Sequence, residues 1–202
     1  MTGAPRLAPI PREDWNDDAR EALARGFSDA VAERLLADDA GPMPNVVATL
    51  MHHPALAGPF LAYNNVLLRT PALDPRLREL MVLRVAYRTR ARYEWAQHER
   101  LAPRVGISAE EVAAIARDAE THAWSPLEAA AIAATDQLID RYRVDDATWD
   151  LLAEELDARQ LVELVFVVGT YTGLAMVFNS FGLQLDADLQ AATAPAPFLH
   201  EE

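Results

Sequence analysis

Residues 77–98 read Leu-Arg-Glu-Leu-Met-Val-Leu-Arg-Val-Ala-Tyr-Arg-Thr-Arg-Ala-Arg-Tyr-Glu-Trp-Ala-Gln-His. The Asp74-Pro75 pair before them starts a helix, and the spacing predicts it over about Pro75 to Arg88. At about 100° per residue, Arg84 and Arg88 share one side, whereas Glu79 falls almost opposite among Val82, Leu83 and Ala86. The rest is apolar on nearly every side, so this helix needs cover all round. A second helix is expected from about Ala91 to near Gly106. On it Arg92, Glu99 and Arg100 take one side, and Glu94 and His98 share the other with Trp95, Leu101 and Ala102.

The same periodicity extends outward. Ser108 with Glu111, Ser125 with Glu128 and, more weakly, Asp157 with Gln160 have the spacing of capping boxes. Upstream, Trp15, Ala19, Ala22 and Leu23 follow Pro11 at helical spacing, and Val31, Leu35 and Leu36 continue the pattern until Gly41, Pro42 and Pro44 break it. Asn45 opens a short helix and Pro54 a longer one. No run of period-two alternation rivals these segments, so the expected fold class is all-α. The expected organisation is an N-terminal helical extension over 1–40, a helical domain over 41–190 and a tail over 191–202. That tail is read as either a mobile end or an arm docking on a neighbouring subunit.

Composition removes whole classes of function. Among 202 residues, 31 are acidic and 18 basic, a formal charge of -13 that repels a phosphate backbone, so nucleic acid is not an expected partner. With no cysteine, there are no disulfides, thiolate metal sites or thiol nucleophiles. Met1 to Glu13 lacks the pattern of a signal peptide, so a cytoplasmic location is expected. Leu164 to Leu185 contains no charge, yet Thr170, Thr172, Asn179, Ser180 and Gln184 interrupt it. A buried core helix is expected there, and not a membrane span.

Three polar residues stand where apolar ones are expected. Glu79, Glu94 and His98 all face inward, and Glu94 and His98, four apart, can touch. A buried carboxyl is either paired or poised to move protons, and a carboxylate beside an imidazole fixes its tautomer. The trio also has a spacing that could ligate a metal. Neither helix supplies a second histidine, however, and His52 and His53 before Pro54 are read as solvated, so no metal and no cofactor is expected. In the last long helix Glu163 precedes Phe166, Gly169, Tyr171, Gly173, Phe178 and Phe181. The aromatics are read as a buried subunit seam and Asn179 as a buried structural amide.

Residues 77–98, and above all Tyr-Glu-Trp-Ala-Gln-His over 93–98, resemble the signature region of the carboxymuconolactone decarboxylase family, within the alkylhydroperoxidase-like superfamily. The likeness extends to Met-Pro-Asn-Val and His-His-Pro-Ala-Leu upstream, and to Val-Gly-Thr-Tyr-Thr and Asn-Ser-Phe-Gly-Leu-Gln-Leu downstream, covering most of 40–186. The resemblance implies an AhpD-like multi-helix bundle assembled as a homotrimer or homohexamer. In the peroxidase branch a Glu lies fifteen residues before a reactive cysteine and a His four after it. Glu79, Glu94 and His98 keep those intervals, with Glu94 in the cysteine's place and Ala91 where the second cysteine would stand.

Thiol peroxidase chemistry is therefore absent, and acid and base chemistry remains. The resemblance implies a lyase-like enzyme acting on a small carboxylated or lactone-like substrate, with His98, Glu94 and Glu79 as its catalytic residues. Arg84, Arg88 or Arg90 could bind the substrate's charge, although the first two face away from Glu79 and could serve a neighbouring subunit. The alternatives are a non-catalytic oligomer that binds a ligand or protein, and a metal-dependent oxygenase or hydrolase.

Overall fold

A computed structural model describes residues 4–37, 39–117, 119, 122–192 and 196–200, and among these every regular element is a helix. The chain divides into two compact units, one drawn from 1–71 with 180–186, the other from 72–179 with 187–202.

The first unit holds α1 (Asp17–Gly26), α2 (Asp29–Leu36), α3 (Asn45–Leu50) and α4 (Pro54–Arg69). Asn16 caps α1 by accepting from the Ala19 amide, and α1 buries Ala19, Ala22 and Leu23. Gly58 lets α4 lie against α1, because a side chain there would begin 3.3 Å from the Ala22 backbone. Asn45 ties residues 184–186 to this unit: its amide donates to Asp186 and its side chain to the Gln184 and Leu185 carbonyls.

The second unit is built around α5 (Pro75–Arg88), in which every residue from Leu77 to Ala86 is buried. Asp74 caps it by accepting from the Arg76 and Leu77 amides. Around it pack α6 (Arg92–Leu101), a 3-10 turn (Ala102–Val105), α7 (Ala109–Arg117) and α8 (Pro126–Arg141); α9 (Asp146–Glu155) lies on α8. The chain continues into α10 (Ala158–Phe181) and α11 (Ala187–Ala192). All three capping boxes form: Ser108 with Glu111, Ser125 with Glu128, and Asp157 with Gln160 exchange reciprocal hydrogen bonds.

Arg84 and Arg88, on the side of α5 away from Glu79, find partners within the chain. Arg84 donates to both oxygens of Asp136 on α8, at 2.8 and 2.7 Å, and to the Ile115 carbonyl. Arg88 reaches Asp136 and Asp140. These cations are neutralised within the chain, because enclosing α5 requires its charged side to find partners in the helices that cover it. Asp136→Ala is expected to lower stability by about 2–3 kcal/mol, as it strands a buried guanidinium. Urea unfolding checks this, and a loss below about 1 kcal/mol would reduce the pair to a surface ion pair. At the start of α5, Arg76 pairs with Glu111 and Glu128, and the hydrogen bond from Arg76 holds the Glu111 carboxyl down at about 2.

Three expectations change. The described end of the tail docks on its own unit, where Phe198 packs against Trp95 and Tyr87; residues 193–195 and 201–202 lie outside the described residues. Asn179 is exposed and donates to the Thr89 carbonyl at the end of α5, so it is no buried amide. Finally, α10 is the one helix among the described residues long and apolar enough to cross a membrane, yet only 44% of its apolar window is buried. It is half core helix and half exposed face.

Candidate active site

The site is carried by α5, α6 and α10. Glu79 comes from the enclosed core of α5, which leaves its carboxyl no access to bulk water at 2% exposure. Arg90, in the left-handed region at φ 54°, turns the chain after α5, and α6 begins at Arg92. That reversal brings the inward side of α6 onto α5. His98 Nδ1 lies 2.7 Å from Glu79 Oε1, a buried hydrogen bond. A carboxylate can only accept, so it assigns the proton to Nδ1 and leaves Nε2 as the working nitrogen.

Glu94 sits one turn earlier on α6, equally buried at 2% exposure, and neither carboxyl oxygen has a hydrogen-bond partner. Burial alone raises its pKa well above the usual carboxylate range. Burial thus favours the neutral form of Glu94, which offers one donor and one acceptor. His98 rests edge-on to the Tyr171 ring of α10, centroids 5.2 Å apart at 83°. The Tyr171 hydroxyl is pushed up first by burial, then by the charges of Glu94 and Glu79, with Arg78 acting in the opposite sense. Five groups thus share one electrostatic neighbourhood: Arg78, Glu79, Glu94, His98 and Tyr171.

The trio expected from sequence comes together unequally. Glu79, not Glu94, orients His98, although Glu94 is the nearer in sequence. Among the described residues no group of three or more His, Asp or Glu side chains is arranged to hold a metal. His52 Nε2 donates to the Ala8 carbonyl within the first unit, and His53 precedes α4 there. Arg78 and Tyr171 escaped the sequence reading. The signal for Arg78 was a cation directly beside the inward Glu79. For Tyr171 it was the single phenol in the apolar run of α10. Glu163, also buried, accepts from the Ala72 and Leu73 amides, which gives it a structural part in the loop before α5.

These positions lie in a recognisable stretch. Residues 54–137 match the carboxymuconolactone decarboxylase family. Glu79, Glu94 and His98 all fall inside that family segment, and no curated protein sequence matches the chain significantly. Among solved structures, an uncharacterized peroxidase-related protein from Ralstonia eutropha JMP134, described as an alkylhydroperoxidase AhpD core, is similar at 18% identity. It has a TM-score of 0.73 over 93% of this chain and 96% of that one. A peroxidase-related protein from Silicibacter sp. TM1040 gives 13% identity and 0.73 over 93% and 95%. The debrominase Bmp8 gives 18% identity and 0.70 over 92% and 94%, and a cysteine-to-alanine variant of that enzyme was solved with 2,3,4-tribromopyrrole. At such identities the likeness shows the fold, which is AhpD-like and all-helical. The family segment here carries no cysteine.

Proposed function

We propose that this chain is a carboxymuconolactone decarboxylase-like enzyme that moves protons on a small carboxylated or lactone-like substrate without a thiol. The observation that carries this reading is the buried 2.7 Å hydrogen bond that His98 Nδ1 donates to Glu79. It holds the imidazole in one orientation and stabilises the imidazolium when Nε2 takes a proton. In a decarboxylation, the bond to the leaving carboxylate breaks, its electron pair passes into an adjacent carbonyl as an enolate, and carbon dioxide departs. His98 then delivers a proton to carbon. Glu94, whose neutral form burial favours, donates a hydrogen bond to the developing enolate oxygen, a role open to an acid and closed to a carboxylate. Arg78 supplies positive charge in the same neighbourhood.

The metal-dependent alternative loses support because Glu79, Glu94 and His98 do not form a ligand set. A non-catalytic binding protein is favoured by one observation, the depth at which both carboxyls lie. Exchange of carbon-bound protons for deuterium separates the two. The purified chain, incubated in deuterated buffer with a panel of small lactones, β-keto acids and unsaturated dicarboxylates, is expected to label at least one of them at the carbon next to the carbonyl. Saturable binding with no labelling and no carbon dioxide release across the panel would favour the binding protein.

A further inference from the structure

Among the described residues three glutamates are buried, and the fold serves two of them. Glu163 accepts from the Ala72 and Leu73 amides, one on each oxygen, and Glu79 accepts from His98. Glu94 differs. Neither of its oxygens has a partner, and among the described residues it is the one buried side chain left with two such atoms. The side chains best placed on α6 to reach it lie three and four residues on. Gln97 donates to the Tyr93 hydroxyl and His98 to Glu79, so both are bonded elsewhere. A buried polar group without a partner has given up its bonds to water and gained none in return. At the centre of a candidate active site, that vacancy points to a group arriving from outside.

The proposed reaction uses only half of this carboxyl. Its hydroxyl donates to the reacting carbonyl oxygen, and the second oxygen, an acceptor, is still unserved. Burial favours the neutral form, so Glu94 offers one donor beside one acceptor. The complement is a carbonyl with a donor on the same carbon, so that two parallel bonds close together. A lactone or ester cannot supply it, because both of its oxygens only accept, and the second would face the Glu94 acceptor. A carboxylate fails for the same reason. A carboxamide supplies both groups, as does a lactam, whose ring holds the N–H and the C=O on one side. Either is uncharged at neutral pH and enters the site without the desolvation cost of an ion.

We propose that Glu94 is the specificity-determining residue of the site and reads the amide edge of a small lactam or carboxamide, donating to its carbonyl oxygen and accepting from its N–H. This rests on the proposed function for the place of the reacting carbonyl, and it narrows the substrate. The carbonyl that takes up the electron pair belongs to an amide, and the carboxylate that departs as carbon dioxide is carried on the neighbouring carbon, which His98 then protonates. A site that bonds an N–H rejects the analogue lacking it more sharply than an apolar pocket can, because its own acceptor is then left unpaired.

Ring compounds that differ at one atom test this on the full chain by NMR titration, with no need for turnover. The parent is expected to bind γ-butyrolactam at least about tenfold more tightly than γ-butyrolactone, which has oxygen in place of the N–H. N-methyl-γ-butyrolactam, whose donor is blocked, is expected to bind as weakly as the lactone. Glu94→Gln keeps a donor and an acceptor and is expected to retain this order. Glu94→Leu, of similar size and apolar, is expected to level the three compounds with unchanged helical circular dichroism. Equal binding of lactam and lactone by the parent would overturn the proposal, as would failure of γ-butyrolactam to bind or a preference that survives Glu94→Leu. The two readings fail separately. Preference for the lactam with no deuterium labelling of any compound removes the reaction and keeps the binding site. Labelling of a substrate with equal binding of lactam and lactone removes the amide reading alone.

Discussion

His98→Gln is expected to lower turnover by about 100- to 10,000-fold, the usual contribution of a positioned general acid or base. Glutamine keeps a hydrogen-bonding group near Glu79 but cannot cycle a proton near neutral pH. The buried bond links two helices, so the control is helix content and thermal midpoint, both expected to stay close to the parent's. Glu79→Gln gives the complementary result. It leaves the imidazole in place but replaces the carboxylate that orients it, so turnover is expected to fall with helix content unchanged. If His98→Gln keeps full turnover, the imidazole leaves the mechanism; if turnover falls with loss of helix content, the bond is structural.

Glu94→Gln is expected to change the pH dependence of stability. Burial raises the Glu94 pKa well above its ordinary value, so between that ordinary value and the raised one the folded chain binds a proton that the unfolded chain has released. Stability from this group is fully present below the unfolded pKa and is lost as pH rises through the folded one, at about 1.4 kcal/mol per pH unit. Glutamine has nearly the same shape as the neutral acid and takes up no proton. The variant should therefore lack this fall and exceed the parent in stability toward alkaline pH, with little difference near pH 4. Urea unfolding across that interval measures it. In infrared spectra, a protonated-carboxyl band absent from Glu94→Gln should persist in the parent to higher pH than an ordinary carboxyl allows. Parallel pH profiles would mean that Glu94 is ionised in the folded chain and cannot act as a donor.

Much of the helical plan was legible in local sequence because its determinants are local. Capping residues at Ser108, Ser125 and Asp157, and prolines at the first positions of α4, α5 and α8, act on amides within one turn. The inward placement of Glu79, Glu94 and His98 followed from period alone, since no surface chemistry explains a carboxyl among Val82, Leu83 and Ala86. The helical wheel placed the cationic edge of α5 but could not name its partner. With α5 covered on all sides, its cationic edge faces α8, and Arg84 finds Asp136, 52 residues away in the chain. The expectation for Asn179 failed because the end of α10 that seemed enclosed by its composition is exposed.

By itself, the sequence determined the helical class, the family resemblance, the loss of thiol chemistry and the identity of the three inward polar residues. Each depends on residue type and on spacing within a few turns. Tertiary structure alone decided which carboxyl holds His98, that Glu94 is left without a partner, and that Arg78 and Tyr171 join them. Those outcomes depend on where α5, α6 and α10 lie against one another, and a buried polar atom's partner is set by the few ångströms between helices.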